Sequence, residues 1–257
     1  MKLKTPFLLL FMLSGILFLF SDEKGEEIGR KAHSLKKADD MYSQSKMTLI
    51  DSKGNRTTRE LKNYSKKFKN GTNNFIEFLS PGDVAGTKFL TIVEANGEET
   101  QRIYLPALKK VRRIAAGDKN GKFMNSDITY YDMENREFED SNYQFIAENK
   151  TDDNFKNMKF YVIKVTDKKG NSPYGHSETW VNMDNYFTYR IDVYNKKGNL
   201  LKRVMNIEVK DINGVLIPTK MIVDNIEENH KTLMMIDNPK VNSGLPDSIF
   251  EISNLEK

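Results

Sequence analysis

The chain has 257 residues, enough for one large domain or two small ones. It has no cysteine, which excludes disulfides, thiol catalysis, thiolate metal sites and a lipid anchor on an N-terminal cysteine. Its 40 basic and 36 acidic residues leave a net charge of +4, too balanced for a general polyanion binder.

The N-terminus reads MKLKTPFLLLFMLSGILFLFSDEKGEE. Lys2 and Lys4 form a basic head, Pro6 to Phe20 is nearly all apolar, and Asp22, Glu23 and Lys24 follow at once. About fifteen apolar residues are short for a spanning helix and suit an export signal. The expectation is a signal peptide over 1–21, cleaved after Ser21, and a single mature domain over 22–257 in a bacterial periplasm. Lys2 and Lys4 leave with the signal, so the net charge falls by two, from +4 to +2.

One helix is predicted over 26–41, where Ile28, Ala32, Leu35, Ala38 and Met41 recur at helical spacing. From Gln44 onward the apolar period changes to two. Strands are predicted over 44–51, 56–65, 74–79, 87–94, 99–105, 110–114, 143–148, 158–166, 178–182, 188–194, 200–211, 215–225 and 231–238. Turn dipeptides such as Asn70-Gly71, Asn96-Gly97 and Asn213-Gly214 separate them at hairpin spacing, with no room for crossover helices. The sheet is therefore antiparallel and largely up-and-down. Residues 115–141 and 243–257 read as loops and short helical turns, with Ser126 or Asp127 capping a turn through Met133.

The strands alternate: Phe187, Tyr189, Ile191 and Val193 share one face, and Met205, Ile207 and Val209 share another. A wide sheet with an apolar face must cover it. Closure as a barrel, a second sheet, or helices over an open concavity all remain possible, although the chain offers little helix. A curled sheet with a partly filled apolar hollow is one solution, and such hollows hold ligands.

No catalytic set emerges. His33, His176 and His230 are the only histidines. His176 adjoins Ser177, but neighbouring strand residues face opposite ways and the nucleophile-elbow pattern is missing. Glu227, Glu228 and His230 lie close together without a second histidine at metal spacing, and read as a solvated hairpin turn. Asp152-Asp153 reads as a polar loop. No phosphate-binding glycine pattern occurs. The expectation is a protein that is not an enzyme and takes no cofactor and no metal. In KKVRR, alternation sends Lys110 and Arg112 to one face and Lys109, Val111 and Arg113 to the other, which suits neither DNA nor RNA.

Four segments carry a resemblance: FLSPGDVAGTKFLTI (78–92), RIYLPALKKVRRIAAGDKNGKFMNSDITYYDM (102–133), VYNKKGNLLKRV (193–204) and GLPDSIFEISNLEK (244–257). Together they resemble the LolA-like family of outer-membrane lipoprotein-sorting proteins. The pattern departs from the family at Asn125, Ile128 and Ala85, where glycine, phenylalanine and arginine are usual. The resemblance implies a mainly β fold with a few helices: a strongly curved, unclosed antiparallel half-barrel capped by helices. It also implies a periplasmic carrier for acylated lipoproteins or another lipid, with an inner-membrane donor transporter and an outer-membrane acceptor as partners, acting as a monomer. A non-carrying accessory protein that docks to an inner-membrane transporter is the alternative, and a lipid hydrolase using His176 and Ser177 is a third.

On the carrier reading the lining comes from Phe75, Phe78, Phe89, Ile103, Tyr104, Leu105, Trp180, Tyr189, Ile191 and Met205. Alternation alone does not fix which face points inward, so this set includes outward members. The twelve methionines suit an adaptable lining. A loop clasp is expected in which Arg112 or Arg113 pairs with Asp127 or Asp132 and holds the 117–126 loop over the cavity mouth.

Overall fold

The computed structural model describes residues 22–256; the expected signal segment 1–21 lies outside them. All thirteen predicted strands form: β1 (Asp40–Ile50), β2 (Arg56–Phe68), β3 (Gly71–Ser80), β4 (Lys88–Val93), β5 (Glu99–Leu105), β6 (Lys110–Arg113), β7 (Ser141–Lys150), β8 (Phe160–Asp167), β9 (His176–Asn182), β10 (Thr188–Tyr194), β11 (Leu200–Ile212), β12 (Val215–Asn225) and β13 (His230–Val241). They hydrogen-bond in the order β6-β5-β4-β3-β2-β1-β13-β12-β11-β10-β9-β8-β7. The sheet is antiparallel and does not close into a barrel, because β6 and β7 end the order as its two edges. Consecutive strands neighbour each other from β1 to β6 and from β7 to β13, β6 and β7 lie at opposite edges, and β13 joins β1. Among the described residues no helix is long and apolar enough to cross a membrane.

The strands and their coverings fall into two compact units, one of Glu137–Asn199 with the segment before Lys36, the other of Lys36–Arg136 with Leu200–Lys257. In the first unit, helix α1 (22–33) lies on β7. Ile28, 4% exposed, packs with Ile163 and Val181, flanked by Tyr143, Phe145 and Tyr161. Gly25 and Gly29 permit the approach: a Cβ on Gly25 would stand 2.6 Å from the Phe145 amide nitrogen. Lys24 anchors one end, pairing with Glu148 at 2.6 Å over the Phe145 ring. The predicted helix over 26–41 is thus too long. Leu35, Ala38 and Met41 keep helical spacing, but pairing overrides it: Lys67 donates its amide to the Asp39 carbonyl, and Met41 stands opposite Val241.

The other face of this unit holds a buried ion cluster. Arg190 pairs with Asp152 and Asp192, each at 2.5 Å, and lies over the Trp180 ring. Phe155, Phe160 and Tyr189 pack beside it. Burial opposes ionisation of Asp152, but hydrogen bonds from Asn154 and Arg190 outweigh it and hold its carboxyl below the usual range. Asp152 is therefore a structural anchor, and not the solubilising loop residue expected from its polar setting.

The second unit is apolar on both faces. On one, Met47, Leu49, Leu61, Phe78, Phe89 and Ile103 are buried beneath Ile114 and Phe123. On the other, Phe75 and Leu90 are buried beneath Phe250 and Leu255 of the C-terminal turns Asp247–Phe250 and Ile252–Leu255. Burying each of these two side chains contributes about 1.5–3 kcal/mol. Asp40 ties down the start of this C-terminal cover. Its carboxylate accepts the Ser243 amide and hydroxyl and the Gly244 and Leu245 amides. Burial raises the Asp40 pKa, but these four donors outweigh it and leave it below the ordinary value.

Two outcomes follow. Gly25→Ala gains about 1 kcal/mol of helix propensity but forces the clash with β7, which costs about 1–3 kcal/mol. Urea denaturation is expected to show net destabilisation; a stabilised variant would mean that the helix is not seated on β7. Asp40→Asn is expected to lose stability at neutral pH. Because the folded pKa is depressed, Asp40 contributes fully above its unfolded value near 4, and the contribution fades as pH falls through the lower folded value. The gap between wild type and Asp40→Asn in pH-dependent unfolding should therefore close in acid.

Candidate functional site

Strand parity builds the candidate site in the second unit. Met47 stands opposite both Arg59 and Met234, Leu61 opposite Phe78, and Phe89 opposite Ile103. These residues share one face. Among the described residues its cover is neither a second sheet nor an α-helix but the loop of residues 114–136, built from the short turns Ala116–Asp118, Phe123–Asn125 and Tyr131–Met133. Both ends of this loop fasten to β5. The Ile114 amide donates to the Gln101 carbonyl, and Asn135 donates its backbone and side-chain N–H groups to the Glu99 carboxylate at 2.8 and 2.7 Å. Burial pushes the Glu99 carboxyl up, against the lowering effect of Asn135.

Between those ends the loop presses an aromatic plug into the sheet. Phe123 is 1% exposed, and its ring centroid lies 5.0 Å from Phe89, 5.8 Å from Phe78 and 5.8 Å from Tyr130. Such pairs add about 0.5–1.5 kcal/mol each beyond burial. The next two residues, Met124 and Asn125, are left-handed, with φ of 50° and 60°. Asparagine tolerates this region and stands where the LolA-like pattern has glycine; methionine does so at a cost of about 1–3 kcal/mol. The turn aims the Met124 carbonyl at the sheet, where it accepts a hydrogen bond from Arg59. Arg59 is 5% exposed, its Nε has no hydrogen-bond partner, and burial lowers its pKa, with the charge of Asp83 acting in the opposite direction. A buried cation without an ion-pair partner costs several kcal/mol.

The far margin of the loop is fixed by a polar group over β11 and β13. The Asp127 carboxylate, fully buried, accepts from Thr232 Oγ1 at 2.7 Å and lies 2.7 Å from His230 Nδ1. The Asp127 amide donates to Thr232 Oγ1 at 2.9 Å. Lys202, also buried, pairs with Asp132 and donates to the Asp127 carbonyl at 3.4 Å. Lys122 pairs with Glu228 at the rim.

The expected clasp is therefore corrected. Asp127 and Asp132 do secure the loop, but their partners are His230, Thr232 and Lys202. Arg112 pairs with Asp118 at 2.5 Å and Arg113 with Glu98 at 2.7 Å. Alternation separates the two arginines, Arg112 opposite Ile103 and Arg113 opposite Arg102, so each takes the nearest carboxylate on its own side. His230, expected in a solvated turn, opens β13 with Asp127 above it. Glu228 is in a rim ion pair, and His176 stacks on Tyr194 at 4.5 Å.

The lining candidates divide. Phe78, Phe89, Ile103 and Leu105 belong to the face beneath the loop. Phe75 and Tyr104 belong to the opposite face, under the C-terminal turns. Met205, opposite Ile222, also lies on that side by strand parity. Trp180, Tyr189 and Ile191 are in the first unit, Trp180 and Tyr189 around Phe160 and Ile191 opposite Thr179. Nor is the face beneath the loop an open hollow: Phe123, Ile114, Met124, Tyr130 and Met133 pack against it. The loop, expected to lie over a cavity mouth, instead carries enough apolar side chain to fill the space beneath it.

The chain is 30% identical to a DUF1329 family protein from Desulfovibrio piger, over 91% of this chain and 99% of that one, with a TM-score of 0.84. The chain belongs to the DUF1329 family. A family model described as "Uncharacterized protein" matches residues 70–257 of this DUF1329 member. A domain described as that of an outer membrane lipoprotein-sorting protein, from Vibrio parahaemolyticus, is 26% identical over 92% of this chain and all of its own, with a TM-score of 0.84. A LolA superfamily protein from Nitrosomonas europaea, 18% identical over 90% of this chain and 98% of its own, shares the fold at a TM-score of 0.69. The LolA-like resemblance read from the sequence thus holds for the DUF1329 chain. No curated protein matches it in sequence.

Lys202→Met removes the cation from Asp132. The expected loss is below the roughly 3–5 kcal/mol of a fully buried pair, since the Asp132 side chain is 21% exposed. Hydrogen exchange should quicken across 119–134 before the β1–β5 core. Uniform quickening throughout the unit would mean that the loop has no independent mobility.

Proposed function

We propose that this DUF1329 protein is a periplasmic carrier. It shelters the acyl chains of a lipoprotein, or of a related lipid, on the apolar face of β1–β5 and delivers them toward the outer membrane. The observation that carries the reading is the covering of that face. A wide apolar sheet surface is closed by an irregular loop fastened at one strand and latched at its far margin by a few polar groups. A cover of this kind can lift and leave the strands paired.

The energetics require such a shelter. Each methylene exposed to water costs about 0.8 kcal/mol, so a sixteen-carbon chain forfeits on the order of 12 kcal/mol between membranes. Phe123, Met124 and Met133 occupy the place of the guest when the loop is closed. Loading exchanges one set of apolar contacts for another, which keeps net affinity moderate and permits release. Met47 and Met234, side by side on β1 and β13, add a surface that repacks around varied chains. The lipoprotein-sorting description of the Vibrio parahaemolyticus domain supports the same reading. Export by the 1–21 signal, a donor transporter in the inner membrane and an acceptor in the outer membrane complete the proposal.

Mass spectrometry of organic extracts from gently purified protein tests it. About one acyl-bearing guest per chain is expected, reduced when a disulfide pins the loop to the sheet. Lipid-free protein that also takes up no acyl probe would remove the carrier reading.

A further inference from the structure

We infer that Arg59 is the anchor for an acidic head group, so that the guest of this site is an amphiphile bearing a carboxylate or a phosphate. This rests on the carrier reading and adds the chemical class of the cargo to it.

Arg59 is on the central part of the apolar face, opposite Met47 and two residues before Leu61. It is 5% exposed. Among the described residues it has no carboxylate partner, and its one hydrogen bond is to the neutral Met124 carbonyl. Its Nε has no partner at all. A guanidinium does not shed its proton in proteins, so the charge stays. Holding the loop does not require that charge, since a neutral amide side chain also donates to a carbonyl. Every other buried cation of this unit's clasp has a carboxylate: Lys202 has Asp132. Arg59 has no such pair: the charge of Asp83 acts on it only from beyond ion-pair distance, and its Nε donor is unused.

An arginine fork binds carboxylate or phosphate oxygens in pairs and more strongly than a single amide carbonyl. An acidic guest therefore replaces the Met124 carbonyl on Arg59. The left-handed Met124–Asn125 turn loses the contact that holds it, and the loop is released as the acyl chain takes the place of Phe123. Head-group recognition and opening become one event.

The experiment uses the mature protein and three probes with one acyl chain: oleate, oleyl phosphate and neutral methyl oleate, each below its aggregation concentration. Affinities are measured by displacement of a neutral fluorescent acyl probe. Wild type is expected to prefer oleate or oleyl phosphate over methyl oleate by about tenfold or more, the scale of one charge-assisted contact. The larger of the two arms tells carboxylate from phosphate. In Arg59→Met the preference should collapse to parity. Arg59→Gln, which keeps a donor for Met124, serves if the methionine variant misfolds, and should also lose the preference. Equal wild-type affinity for all three probes, or a preference that survives in both variants, overturns the inference and leaves the carrier reading standing. Binding of none of them overturns both.

Discussion

The second unit depends on one constraint: a sheet apolar on both faces must be covered twice, and among the described residues this unit has no α-helix to do it. The C-terminal segment covers one side with Phe250 and Leu255. The loop between β6 and β7 covers the other with Phe123 and its neighbours. Without either cover, large aromatic side chains on β3 and β4 would face water.

The two covers are built differently. The C-terminal one starts from Asp40, whose buried carboxylate takes four donors from three consecutive residues, and its backbone there is unstrained by any non-glycine left-handed residue within the turns themselves. The loop carries a left-handed methionine, leans on an arginine that forms no ion pair among the described residues, and is latched by groups on β11 and β13. One arrangement concentrates favourable interactions, and the other stores unfavourable ones beside a large aromatic burial. That asymmetry identifies the loop as the moving part on the carrier reading, and it does so from energies and not from irregularity of shape.

The strands were legible because a half-buried antiparallel strand writes its pairing partner's face into its own alternation, as Met47, Leu49 and Leu61 show. The helix boundary was not, because residues 35–41 keep helical spacing while hydrogen-bonding to β2 and β13. The clasp was half legible. Asp127 and Asp132 were singled out, but the partner of Asp127, His230, is 103 residues away, and local pattern carries no such information. Arg59 did leave a signal. It shares parity with Leu61 and so occupies an apolar position, where a permanent charge is out of place. Lys202 likewise shares parity with Val204, although the neighbouring Met205 and Ile207 draw attention to the other face. Asp152 was misread for the same reason as His230: its anchor, Arg190, lies 38 residues on.

Fastening both ends of the loop to β5 makes it a flap with a hinge on one side and a single free margin. Gln101 and Glu99 hold the hinge two residues apart, so the backbone there need not slide or unzip when the margin rises. On the carrier reading, traffic is then one-sided. A guest would enter from the direction of β11 and β13, passing Lys202 and His230 first, and would meet Arg59 only once over methionine. The order of those encounters would amount to a checkpoint: grease admitted on approach, charge inspected within.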